Sequence, residues 1–242
     1  MEGFRLFSYA SGREDGVSTG VLIEGMVFNT KVLIGERGAS MMDILRNWPD
    51  AFDDLCDWAI GADVHDGMPF EEVELRAPLL YPGTIYCAGA NYADHLAEMA
   101  DLVEATTGTR PNGGKPDEPW FFVKTSAASV CGHGARIAIP SFTRELDYEV
   151  ELAVVIGTTA KDVSEADAMK HVAGYTILND LSARDLLRRE GSPFVFDWIG
   201  QKCFTDAAPM GPWLTPAAFA GDVSDLAITL DVNGERRQDS RT

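Results

Sequence analysis

Glu149 and Glu151 stand two residues apart in the stretch RELDYEVELAVVIG, residues 144–157. If the stretch is a strand, side chains two apart share a face and lie roughly 6.6 Å from one another, at about 3.3 Å per residue. Glu145, Asp147, Glu149 and Glu151 then line one side, while Leu146, Tyr148, Val150, Leu152, Val154 and Ile156 line a side turned to a core. Carboxylates facing one way repel and are costly to desolvate unless a cation or hydrogen-bond donors answer them. The plainer alternative is a half-exposed strand with a solvated acidic face. A third acid shifts the balance, because Asp180 ends the apolar run GYTILND. Two Glu and one Asp make an all-oxygen set suited to Mg2+ or Mn2+, or to Ca2+, rather than to zinc.

Other residue types could serve the same site. In GANYADHLAEM, His95 and Glu98 fall at i, i+3 on one helix face. A Glu beside a His orients the imidazole and raises its basicity, as a general base requires, although an ordinary surface ion pair has the same spacing. Asp94 is either an outer acid or part of the turn. Lys124 follows the aromatic run PWFFV, and Lys202 sits in WIGQKCF. Each lysine either reaches past apolar neighbours to solvent or places a positive charge in a pocket for a carboxylate or oxyanion. Arg184 is within reach of Asp180 or of its neighbour Asp185. His65, His133 and His171 lack acidic or metal-spaced neighbours and read as structural or surface residues.

The elements that must position these groups come in two textures. Residues 1–75 read as a small N-terminal unit with short apolar runs split by glycines, then a helical stretch broken at Pro49. From residue 76 strand-like runs recur: TIYCAGA, WFFVKT, ARIAIP, LDYEVELAVVIG, VAGYTILND, FTDAAPMGPWLTP and LAITLDVNGERR. Helical pieces are fewer: YADHLAEMADLV, SEADAMKHV with Ser164 as N-cap, and SARDLLRRE with Ser182 as N-cap. The Gly-, Pro- and Thr-rich TTGTRPNGGKPDEP is a long loop of the kind that forms lids. With 38 acidic and 20 basic residues the net charge is −18, which argues against a nucleic-acid or anionic-membrane partner. It leaves room for a small anionic substrate in a locally cationic pocket. No apolar run approaches the ~20 residues of a membrane helix. Cys56, Cys87, Cys131 and Cys203 are far apart, so reduced, mostly buried thiols and a cytoplasmic setting are expected.

In order, GANYADHLAEM, PWFFVKTSAAS, LDYEVELAVVIG, GYTILNDLSARD, QKCFTDAAPMGPWLTP and LAITLDVNGERRQ resemble the fumarylacetoacetate hydrolase family over roughly residues 80–242. The resemblance implies an α+β, mainly β fold: a mixed β-sandwich roll preceded by a small N-terminal α/β domain, assembled as a homodimer. It implies a metal site of Glu149, Glu151 and Asp180 for Mg2+ or Mn2+. It also implies a His95–Glu98 dyad on a mobile lid and substrate-anchoring Lys124 and Lys202, with Lys202 catalytic and Arg184 a further substrate contact. The implied chemistry is hydrolytic C–C cleavage of an acylpyruvate-type 2-oxo acid. Isomerisation or decarboxylation of a hydroxyheptadienedioate or oxaloacetate is the alternative, and a non-catalytic metal-stabilised binding protein is a third reading. The sequence departs from the family at Leu187, where members often carry Gln, and at Phe204-Thr205-Asp206, commonly Phe-Asp-Thr. Family domains continue past NGERRQDSRT to a TGTPxGVG loop. Because LAITLDVNG expects a hairpin partner, the C-terminal strands of the domain are expected to lie outside these 242 residues.

Overall fold

At Glu24-Gly25 and again at Asn233-Gly234, both central residues of a two-residue turn take positive φ, +48° and +79° in the first and +54° and +82° in the second. That backbone matches the right-handed twist of paired strands, and Asn-Gly is the residue pair that reaches it most cheaply. The first turn joins Ser18–Ile23 to Met26–Asn29 and the second joins Ala227–Val232 to Glu235–Arg241. The partner expected for LAITLDVNG is therefore inside the chain. The computed structural model describes residues 3–11, 16–110, 118–191, 193 and 195–242. Half of the expected lid loop, residues 111–117, lies outside them.

The fold is mainly sheet. A nine-stranded sheet runs in the order Val150–Ile156, Val172–Asn179, Ala208–Pro216, Arg5–Ser11, Ser18–Ile23, Met26–Asn29, Met68–Pro69. Val73–Leu75 pairs with Arg5–Ser11, and Val130–Cys131 runs parallel to Ala208–Pro216. The sheet crosses residue 75, since Leu6 pairs with Leu214. One core crosses it too: Phe4, Leu6, Val21, Ile44 and Leu55 belong to the same buried cluster as Val155, Ala173, Leu178, Met210 and Leu214. Ile44 and Leu55 come from the helices Met41–Arg46 and Asp50–Ile60, whose apolar faces are thus buried with the sheet.

The acidic stretch departs from the expected single strand. Leu146–Asp147 pairs with Ser182–Ala183, and after a break Val150–Ile156 pairs with Val172–Asn179. Its distal core face is the opposite one: Val155 is 8% exposed, whereas Val154 and Ile156 are 52% and 55% exposed. The odd residues there face the layer that holds the core, which alternation alone does not identify. SARDLLRRE is not a helix capped by Ser182. Ser182–Ala183 is committed to a strand, the Ser182 hydroxyl donates to Asp180 O at 2.9 Å, and Arg184–Leu186 is one 3-10 turn.

Candidate active site

Three separate elements deliver the cationic side of the site. In the two-stranded sheet Ile85–Ala88 with Phe121–Lys124, Ile85 pairs with Lys124 and Cys87 with Phe122, so these four side chains share a face. Lys124 is 1% exposed, and its Nζ donates to Asp180 Oδ1 at 2.6 Å and to Leu181 O at 3.0 Å. Lys202 closes the short helix Trp198–Lys202, whose start is held by Asp197 accepting from Gly200 N at 2.7 Å. Its Nζ, also buried, donates to Glu149 Oε2 at 2.7 Å and to Asp180 Oδ2 at 2.8 Å. The Phe122 ring lies 4.8 Å from that ammonium and stacks on Trp198, which screens the pair from water. Arg184 donates through Nε to Asp147 Oδ2 at 2.8 Å and through Nη2 to Glu149 Oε1.

The acidic side is fixed just as closely. Asp180 is 2% exposed, and its backbone N–H donates to Glu149 O at 2.7 Å. Glu149 N–H in turn donates to the Asn179 side chain at 3.0 Å. These bonds hold the end of one strand and the start of its neighbour in a fixed register. Burial pushes the Glu151 carboxyl up to about 7; a hydrogen bond from Tyr92 works against the rise, and the charges of Glu149 and Asp180 add to it. Burial likewise lowers the Lys124 ammonium, against the pull of Asp180. The Cys87 thiol is pushed up to about 12, first by burial and then by Asp180, which makes it a poor nucleophile.

Six of the residues expected from the sequence thus converge: Lys124, Glu149, Glu151, Asp180, Arg184 and Lys202. Arg184 does so with other partners than expected. Lys124 and Lys202 occupy both oxygens of Asp180, and Asp185 is engaged by Thr143 and by Arg144 N–H at 3.0 Å, so the guanidinium turns to Asp147 and Glu149. His95 and Glu98 stand one turn apart on the same helix face, as the spacing implies. Both lie on the helix Ala93–Thr107, with His95 half-buried and Glu98 exposed, and no hydrogen bond or ion pair joins them among the described residues. The Tyr92 hydroxyl was not legible as a site group, nor was the role of Asp147; nothing in local spacing marks either. The three carboxylates fit a hard divalent ion by donor type, and the raised Glu151 shows a buried charge that a cation would stabilise. No three acids, imidazoles or thiols among the described residues already close around one point. Lys202 bridges Glu149 and Asp180, so an ion would compete with it for the same oxygens.

A family model described as fumarylacetoacetate (FAA) hydrolase C-terminal matches residues 84–242. The human mitochondrial oxaloacetate tautomerase FAHD2B is 39% identical over 176 residues, covering 72% of this chain and 51% of that protein. The chain therefore spans about half the length of this relative. The structure of a fumarylacetoacetate hydrolase from psychrophilic Exiguobacterium antarcticum superposes with a TM-score of 0.72 at 29% identity, covering 99% of this chain and 76% of that one. A maleylpyruvate hydrolase from Sphingobium sp. SYK-6, in complex with manganese(II) and pyruvate, shares the fold with a TM-score of 0.71 at 24% identity, covering 98% of this chain and 76% of that one. Among the described residues no helix is long and apolar enough to cross a membrane.

Proposed function

This chain belongs to the fumarylacetoacetate hydrolase family, and we propose that its acid–lysine cluster interconverts the keto and enol forms of an oxaloacetate-like 2-oxo dicarboxylate. The observation that carries the reading is the cluster itself. Two buried ammonium groups and three carboxylates converge where a small anion with adjacent carboxylate and carbonyl oxygens would be held. Glu149, Glu151 and Asp180 would hold Mg2+ or Mn2+, with Ca2+ as an alternative. Such an ion supplies Lewis-acid stabilisation of the negative charge that develops on the 2-oxo oxygen.

The chain's own residues do the rest. Lys202, once freed from one of its two carboxylates, donates to a substrate oxygen, while Lys124 stays anchored by Asp180 and Leu181 O and presents a fixed positive charge. Arg184 holds Glu149 in place rather than reaching substrate. His95 takes up the enol hydroxyl proton and delivers it to the neighbouring carbon to give the keto form, and the reverse path runs the same two transfers backwards. Tautomerisation asks for one proton carrier and no activated water. Isomerising 2-hydroxyhepta-2,4-diene-1,7-dioate is the same proton transfer carried along a longer conjugated chain.

Hydrolytic C–C cleavage of an acylpyruvate is the second reading, favoured by the likeness to the Exiguobacterium hydrolase. It requires Glu98 to orient His95 so that water is activated. Supplying pure enol-oxaloacetate and, separately, an acylpyruvate to the Mn2+-loaded protein separates the two. The first reading expects rapid conversion to the keto form without release of pyruvate from the acylpyruvate, and a Glu149→Ala variant at least 100-fold slower. Pyruvate release from the acylpyruvate would establish the second reading. Tight Mn2+ binding with turnover of neither would leave a binding protein and end both.

A further inference from the structure

The strand Val150–Ile156 is the outermost of the sheet path and, among the described residues, pairs only with Val172–Asn179. Its free edge is closed by side chains. Val150 N–H donates to Gln238 Oε1 at 2.8 Å and Leu152 N–H donates to the Tyr92 hydroxyl at 3.1 Å. Between those two amides stands Glu151, and the Tyr92 hydroxyl, whose oxygen accepts from Leu152 N–H, keeps its own hydrogen to turn toward that neighbouring carboxylate. Tyr92 is also the residue immediately before the helix Ala93–Thr107, which carries His95. It is in extended backbone (φ −91°, ψ 140°), and its side chain caps nothing in its own helix. The next turn is tied down as well: Asp94 accepts from the Ser240 hydroxyl and from His95 N–H, the latter at 2.8 Å.

We propose that Tyr92 is a positioning residue that orients Glu151 for its cation and fixes the start of the His95 helix against the acidic strand. The inference rests on the metal reading of Glu149, Glu151 and Asp180. A carboxylate with its second oxygen held by a phenol has one oxygen aimed and one left for an ion, as the outer partners of metal ligands generally arrange. Because the same hydroxyl anchors the helix, loss of the hydroxyl disturbs the cation and the proton carrier together. The ring alone, packed at the helix start, does neither.

The test is Mn2+ affinity by calorimetry on wild type, Tyr92→Phe, Gln238→Ala, Glu151→Gln and the Tyr92→Phe/Glu151→Gln double variant, with kcat and KM for enol-oxaloacetate measured alongside. Tyr92→Phe is expected to weaken Mn2+ by about 10–100-fold, the range found when an outer partner of a metal ligand is removed. It is also expected to lower kcat with KM little changed. Gln238→Ala, which uncaps the same edge one pair away, is expected to leave Mn2+ affinity within about twofold, and the double variant to bind no more weakly than Glu151→Gln alone. An unchanged Mn2+ affinity in Tyr92→Phe overturns the proposal, as does equal loss in Gln238→Ala, which would mark simple fraying of the edge. Additive losses in the double variant also overturn it, since Tyr92 would not act through Glu151. A wild type that binds no Mn2+ overturns the metal reading first, a result distinct from all of these.

Discussion

Glu151 is the acid in the cluster whose protonation the structure pushes furthest toward neutrality, to about 7, with burial as the main cause. An unfolded glutamate titrates near 4.3, so between about pH 4.3 and 7 the folded state holds a proton that the unfolded state has released. The stability this group contributes is complete below about pH 4.3 and is lost as pH rises through about 7. The gap between about 4.3 and about 7, at about 1.36 kcal/mol per pH unit, amounts to roughly 4 kcal/mol in the metal-free protein. Urea unfolding of Glu151→Gln against wild type should therefore show the variant gaining relative stability from pH 5 to pH 8. Saturating Mn2+ should stabilise wild type more at pH 8 than at pH 5, whereas its effect on the variant should be smaller and should change little between the two. A constant difference between the two proteins across that range would refute the account of Glu151. At this scale the sequence revealed residue types but not partners. Glu149, Glu151, Asp180, Lys124 and Lys202 were legible as a set, because acids and lysines embedded in apolar runs demand an answer. Arg184 was assigned to Asp180 or Asp185 because neighbours in sequence compete for attention, whereas in space Asp180 is already taken. Tyr92 carried no local signal, since a tyrosine before a helix is ordinarily core.

Strands and turns gave a second level of legibility. LAITLDVNGERR reads as one strand with its partner beyond residue 242, yet the run turns back on itself at Asn233-Gly234, with Gly234 at φ +82°, and pairs within the chain. That turn sets the register that brings Gln238 to Val150 N–H and Ser240 to Asp94. Gly234→Val places a β-branched residue in left-handed backbone and should cost about 1–2 kcal/mol. Because the hairpin supports the acidic strand and the His95 helix, we expect amide exchange to quicken at Val150 and at His95 in this variant, while the core strand Arg5–Ser11 stays protected. Uniform loss of protection would contradict the hairpin's local role. The period-2 pattern of the acidic stretch was read correctly as strand, yet its distal core face was assigned to the wrong side. Alternation says that two faces differ; which of them meets the helices is decided by elements more than 90 residues away in sequence, such as Met41–Arg46 and Asp50–Ile60.

Seen as a whole, the molecule does not part at residue 75. Arg5–Ser11 lies in the middle of the sheet, between Ser18–Ile23 and Ala208–Pro216, and the first sixty residues supply much of the core. Composition changed at that point, but hydrogen bonding and packing did not respect the change, because a long-range strand pair leaves no mark in local pattern. A fragment of residues 76–242 should accordingly lose cooperative unfolding and expose Leu214 and Met210, read as a broad urea transition where the full chain gives a sharp one. A sharp transition in the fragment would restore the sequence-based boundary. We propose that the whole arrangement holds a divalent cation beside two lysines and acts on a 2-oxo carboxylate. The most direct test is the rate of enol–keto conversion of oxaloacetate after exhaustive removal of metal with EDTA, followed by stepwise return of Mn2+ or Mg2+. The account predicts that catalysis vanishes on removal, returns with either ion, and does not return in Asp180→Ala; an undiminished rate in the stripped wild-type protein would contradict it.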